Sequence, residues 1–255
     1  MTPKRKPVVG GNWKMHLTLA EAQELGSEVR NRLNSYAAVQ TLVFPPFPFL
    51  HAVGQRLQDS AIGLGAQDLH VEKKGAFTGA VSAEMLVSVG CKWVLVGHSE
   101  RRHVFGDGDD LVANKLRVAL AAGLKPVLCI GERLQERQAG DTFAVNRRQL
   151  RAALHGLSAS DVQDLVVAYE PVWAIGTGLV ATPEQAQEVH ADVRSAIGEL
   201  LGIAFATQVR IQYGGSVKPE TAAGLFGKAD VDGLLVGGAS LKAEEFAAIV
   251  RARNA

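Results

Sequence analysis

The chain has 255 residues, 47% of them hydrophobic and 21% charged, the balance of a soluble globular protein. Lys plus Arg number 27 and Asp plus Glu 26, so a net charge of +1 lacks the basic excess of a nucleic-acid-binding domain. The two cysteines, Cys91 and Cys129, form no CxxC; neither a disulfide framework nor a thiolate zinc site is expected, and a reducing compartment fits. No apolar run approaches the roughly 18 residues of a membrane span. The basic start, Met1-Thr2-Pro3-Lys4-Arg5-Lys6-Pro7, is not followed by a continuous apolar stretch. A cytoplasmic protein without signal peptide or membrane contact is expected.

Short β-rich runs alternate with helical stretches. A strand is predicted over residues 8–11, then a helix over 19–33, whose Leu19, Ala22, Leu25, Val29 and Leu33 form an apolar stripe among charges. Strands at 41–44 and 62–66 follow, then a short helix over 82–89 and a strand at 93–96. A helix over 111–122 ends at Gly123, a residue type suited to the position after a helix. Strands at 126–130 and 165–169 come next. Thr182, Pro183 and Gln185 then form a strong helix start, and Gly202 stops that helix after Leu201. Strands at 209–213 and 233–236 and a helix over 243–251 complete the pattern. Most of the eight strands are continuous apolar runs rather than alternations, as in a parallel sheet covered on both faces. Eight such units without a linker or composition break favour a single closed (β/α)8 barrel over residues 1–255 rather than an open doubly wound sheet. In such barrels chemistry sits on the loops at the C-terminal ends of the strands.

Those loops hold the candidate residues. Strand one ends in Gly11-Asn12-Trp13-Lys14, where Asn12 and Lys14 share side-chain parity and can face one space. Strand four ends in Gly97-His98-Ser99-Glu100; a helix starting near Ser99 would disfavour a charged His98 and leave a neutral ring as hydrogen-bond donor. His103 is five positions on, outside the spacing of a helical metal pair, and no metal site is expected. Strand six ends in Glu170, ahead of an apolar loop stiffened by Pro171 and hinged at Gly176 and Gly178. A carboxylate there suits a general base. Gly214-Gly215-Ser216 and Gly237-Gly238-Ala239-Ser240 follow strands seven and eight and supply a phosphate nest. Gly176-x-Gly178-x-x-Ala181 mimics a dinucleotide fingerprint, but six residues separate it from its strand and no acidic strand end follows. No redox cofactor is expected. A base, a neutral donor, a cation, an amide and a phosphate nest describe proton abstraction beside a carbonyl in a small phosphorylated substrate. Isomerase, aldolase and lyase chemistry all remain open on these residues alone, as does a non-catalytic phospho-ligand binder.

Several stretches closely resemble the triosephosphate isomerase family. They are Gly11-Asn12-Trp13-Lys14-Met15, Gly75-Ala76-Phe77-Thr78-Gly79, Val96-Gly97-His98-Ser99-Glu100-Arg101-Arg102, Cys129-Ile130-Gly131-Glu132, residues 169–178, Tyr213-Gly214-Gly215-Ser216-Val217 and residues 235–241. The resemblance implies a TIM barrel that interconverts dihydroxyacetone phosphate and glyceraldehyde 3-phosphate through an enediolate, without metal or cofactor. It implies Glu170 as proton acceptor and His98 as electrophile. Asn12, Trp13 and Lys14 would contact substrate, Gly176, Ser216, Gly237 and Gly238 would hold its phosphate, and Glu100 would support the site from behind. It also implies a homodimer, with Phe77 and Thr78 reaching the partner and Met15 at the interface. Three positions depart from the family pattern: Asp68 stands where Asn is frequent, Ala80 where Glu is frequent and Leu179-Val180 where Lys-Thr is frequent.

Overall fold

The computed structural model describes residues 5–175 and 181–254. Among them eight parallel strands pair in chain order and close on themselves. They are β1 (Val8–Asn12), β2 (Gln40–Phe44), β3 (Gly63–Ala66), β4 (Trp93–Val96), β5 (Lys125–Ile130), β6 (Val166–Tyr169), β7 (Arg210–Tyr213) and β8 (Gly233–Val236). Each lies within a residue or so of its predicted span. The closed barrel decides against the open sheet and, with it, the dinucleotide fingerprint.

Alternate strand residues divide the core in two. Leu42, Phe44, Leu95, Val127, Ala168 and Leu235 fill the barrel interior. Val9, Val43, Val94, Val167, Ile211 and Val236 face the helical ring. The helices Leu19–Leu33 and Pro183–Leu201 open with reciprocal caps, Thr18 with Glu21 and Thr182 with Gln185, each satisfying two otherwise orphaned backbone donors. Gly202 ends the second with φ 92°, a torsion that favours glycine.

His190, on that second helix, is fully buried beside the rings of Tyr169 and Tyr213. Nδ1 lies 3.1 Å from the Asp230 carbonyl oxygen and must donate to it, and Nε2 has no partner. Burial holds its pKa down at about 4. The ring therefore stays neutral in the fold while it charges in the unfolded chain below about pH 6.5. Stability is lost as pH falls between those values, by about 2 kcal/mol from pH 7 to pH 5. Urea unfolding at both pH values should show this loss in the wild type and a smaller one in His190→Asn, which keeps a donor but cannot charge. Identical losses would contradict the assignment.

Candidate active site

Asn12, Lys14, His98, Glu170, Ser216, Gly237 and Gly238 all line one cavity of about 750 Å³ at the C-terminal ends of the strands. They come from the C-terminal ends of five strands: Asn12 and Lys14 from β1, His98 from β4, Glu170 from β6, Ser216 from β7, and Gly237 and Gly238 from β8. His98 caps the short helix Ser99–His103 directly after β4, and its Nδ1 accepts the Glu100 backbone N–H at 3.2 Å. Glu170 leaves β6 and is only 2% exposed. Its Oε2 accepts the Ser99 backbone N–H at 2.8 Å, and its Oε1 lies 3.0 Å from His98 Nε2. Two glycines make room for it. A Cβ on Gly214 would sit 2.8 Å from Glu170 Cγ, and one on Gly131 would strike the Glu170 carbonyl oxygen.

Lys14 is past the end of β1 with φ 51°, a left-handed torsion that costs a non-glycine residue of the order of 1–3 kcal/mol. Two bonds hold it: its N–H donates to Asn12 Oδ1 at 3.0 Å, and its carbonyl accepts from Gln67 Nε2 at 2.8 Å. Its Nζ reaches Glu100 Oε1 at 2.7 Å.

These bonds fix the polarity of the site. Asn12 Oδ1 is taken by Lys14 N–H, so the amide nitrogen faces His98 Nε2 at 3.2 Å. His98 Nδ1 is taken by Glu100 N–H, so the ring proton sits on Nε2. Two donors thus lie side by side over the cavity. Burial disfavours a charged His98, but the adjacent Glu170 carboxylate outweighs it and raises the ring above its ordinary value. Against that rise, a second proton would need Nδ1, where it would break the bond from Glu100 N–H and set charge at a helix start. We assign the neutral ring on that geometry. Burial pushes Glu170 up, yet His98 and the Ser99 N–H together hold it below the usual carboxylate range, so it is ionised at neutral pH. Nitrogen NMR at pH 7 should show one protonated and one unprotonated nitrogen on His98. Two protonated nitrogens would contradict the assignment.

A sequence profile of the triosephosphate isomerase family matches residues 7–253. The triosephosphate isomerase of Carboxydothermus hydrogenoformans is 51% identical over 247 residues, covering 97% of this chain and 98% of that protein. That of Chlorobium phaeovibrioides is 51% identical over 249 residues, covering 97% and 99%. That of Roseiflexus is 49% identical over 246 residues, covering 96% and 97%. This chain belongs to the triosephosphate isomerase family.

In this triosephosphate isomerase family member the predicted site residues converge, with two qualifications. Trp13 is fully buried in the layer between barrel and helices and does not line the cavity. The strand alternation that points Asn12 inward turns its neighbour outward. Gly176, with Gly178 and Leu179-Val180, lies outside the described residues. Glu100 does not line the cavity; its carboxylate holds Lys14 Nζ. Ser216 lines the cavity and donates to the Ala174 carbonyl at 2.9 Å.

Sequence reasoning assigned no role to Glu132. It is fully buried just past β5, and its Oε1 accepts from Trp173 Nε1 at 2.8 Å and Tyr169 OH at 3.1 Å. Its carbonyl accepts Val172 N–H at 3.1 Å. It therefore anchors the turn Val172–Ala174 that follows Glu170. The signal was its place: like His98 and Glu170, it stands one or two residues beyond a strand's C-terminal end. Among the described residues no group of three or more His, Cys, Asp or Glu is arranged to hold a metal ion.

Proposed function

We propose that Glu170 moves the proton in this site while Asn12 and His98 polarise the substrate oxygen. As a member of the triosephosphate isomerase family the chain interconverts dihydroxyacetone phosphate and glyceraldehyde 3-phosphate. The observation that carries the mechanism is the donor pair, Asn12 Nδ2 and His98 Nε2, 3.2 Å apart. A carbonyl oxygen seated between them accepts from both, and the pair stabilises the charge that oxygen gains as an enediolate forms. That oxygen also takes the ring N–H away from Glu170 Oε1, freeing the carboxylate to remove the adjacent carbon-bound proton. Lys14 adds a cation, and Ser216, Gly237 and Gly238 stand where the phosphate fits. A coupled assay of dihydroxyacetone phosphate isomerisation in the presence of a chelator tests this reading. Turnover is expected to be unchanged by the chelator; loss of turnover would overturn it.

The chain is further proposed to act as a homodimer. Met15 is 94% exposed, and Phe77, Val104 and Phe105 are exposed with it. They belong to the loops after β1, β3 and β4, which bonds from Gln67 to Lys14 and from Arg101 to Asp68 tie together. Exposed apolar side chains on such linked loops are a liability in a monomer and an asset to a second copy. Among the described residues no helix is long and apolar enough to cross a membrane. The free, buried Cys91 and Cys129 support the reducing cytoplasm as its location.

A further inference from the structure

Asp68 is part of a closed ring of four charges. Lys115 Nζ lies 2.7 and 2.9 Å from the two Asp68 oxygens and 2.6 Å from Asp107 Oδ2. Arg101 Nε lies 3.1 Å from Asp68 Oδ2, and Arg101 grips Asp107 through Nε at 3.2 Å and Nη2 at 3.1 Å. Signs alternate around the ring and its charge sums to zero. Lys115 and Asp107 are buried, while the Asp68 side chain is 14% exposed and that of Arg101 29%.

The ring joins the two segments that set the cation end of the site. Asp68 follows Gln67, whose amide nitrogen holds the Lys14 carbonyl and the Phe44 carbonyl. Arg101 follows Glu100, whose carboxylate holds Lys14 Nζ and whose N–H holds His98 Nδ1. We propose that Asp68 is a positioning residue: through Arg101 and Lys115 it locks the stem after β3 to the turn after β4, and so fixes the spacing of Lys14 and His98. With Asp68 neutral, Lys115 and Arg101 share one carboxylate and the ring, buried at Lys115 and Asp107, carries a net positive charge. Removing one partner of a buried ion network costs far more than removing a matched pair. The role therefore lies in the balance of charge, and a second substitution that restores the balance restores the spacing.

This proposal rests on the reading of Lys14 and His98 as substrate contacts. The test compares wild type with Asp68→Asn, Lys115→Met, the double variant and a Lys14→Met control, recording KM, kcat and the thermal midpoint of each. Asp68→Asn and Lys115→Met should each raise KM by about fivefold or more. The double variant, which keeps the Arg101–Asp107 pair, should return to within about twofold of wild type. If Asp68→Asn does not fold, the double variant still carries the test, since it is expected to fold and turn over. A folded Asp68→Asn with wild-type KM and only a lower thermal midpoint overturns the proposal, as does a double variant no better than the worse single. An unchanged KM in Lys14→Met overturns the site reading itself. A raised KM there with an unchanged KM in Asp68→Asn overturns the proposal alone.

Discussion

Shortening Glu170 to aspartate should lower kcat by about 10²-fold or more while leaving phosphate affinity nearly unchanged. The carboxylate is held by Ser99 N–H at 2.8 Å and faces His98 Nε2 at 3.0 Å. The side chain packs against Gly214 with no slack for compensation by the backbone, since even a methyl group there would collide with it. Withdrawing a reacting group by about 1 Å can cost 10²-fold in rate. Ser216, Gly237 and Gly238, the residues proposed to hold the phosphate, are built on other strands and should not respond. Steady-state kinetics and inhibition by inorganic phosphate check both parts. Near-wild-type turnover in Glu170→Asp would remove Glu170 from the role of base.

Replacing Phe77 and Thr78 with charged residues should give a monomer with activity reduced by about 10²-fold. The stretch between β3 and the helix Ala83–Ser88 is long for a compact barrel, and such loops are more often functional than idle. It is an ordered structure: His70 N–H donates to the Val81 carbonyl, and the His70 and Phe77 rings lie 4.5 Å apart. Yet Phe77 remains 43% exposed at its tip. Seated on a second copy, it would cover the rim around Met15, where Lys14 holds a strained torsion at the edge of the cavity. Loss of that cover is expected to loosen Lys14, and a small misplacement is costly in rate. Sedimentation equilibrium should give about 54 kDa for the wild type, twice the 27.1 kDa chain, and a single-chain mass for the variant. A fully active monomer in either protein would contradict the dimer.

The barrel was legible because its strands are short apolar runs that a two-sided burial demands, and because three of them lead into a polar residue that does not belong in a core. Asn12, His98 and Glu170 stand out for that reason alone. Elements with buried polar groups were less legible. The helix Thr142–Leu154 buries Asn146 and Gln149 alongside Val145 and Leu150, which blurs its apolar stripe. Gln149 is there to bond both backbone groups of Gly131, and Asn146 to reach Glu132. Glu132 itself looks like an ordinary surface acid until Trp173 and Tyr169 are folded onto it. The left-handed Lys14 also escapes sequence reasoning, because its backbone is held there by the Asn12 and Gln67 side chains. Side-chain parity nonetheless placed Lys14 beside Asn12, although Lys14 reaches the cavity from beyond the strand.

Proton transfer through Glu170 is tested most directly by isomerising dihydroxyacetone phosphate in heavy water with a chelator present and reading the product by proton NMR. Glyceraldehyde 3-phosphate should carry solvent deuterium at C2, because a carboxylate that has taken a proton can exchange it before returning it. Glu170→Gln should form product at least about 10²-fold more slowly. Product free of deuterium, formed at the same rate by Glu170→Gln, would show that hydrogen moves without this base.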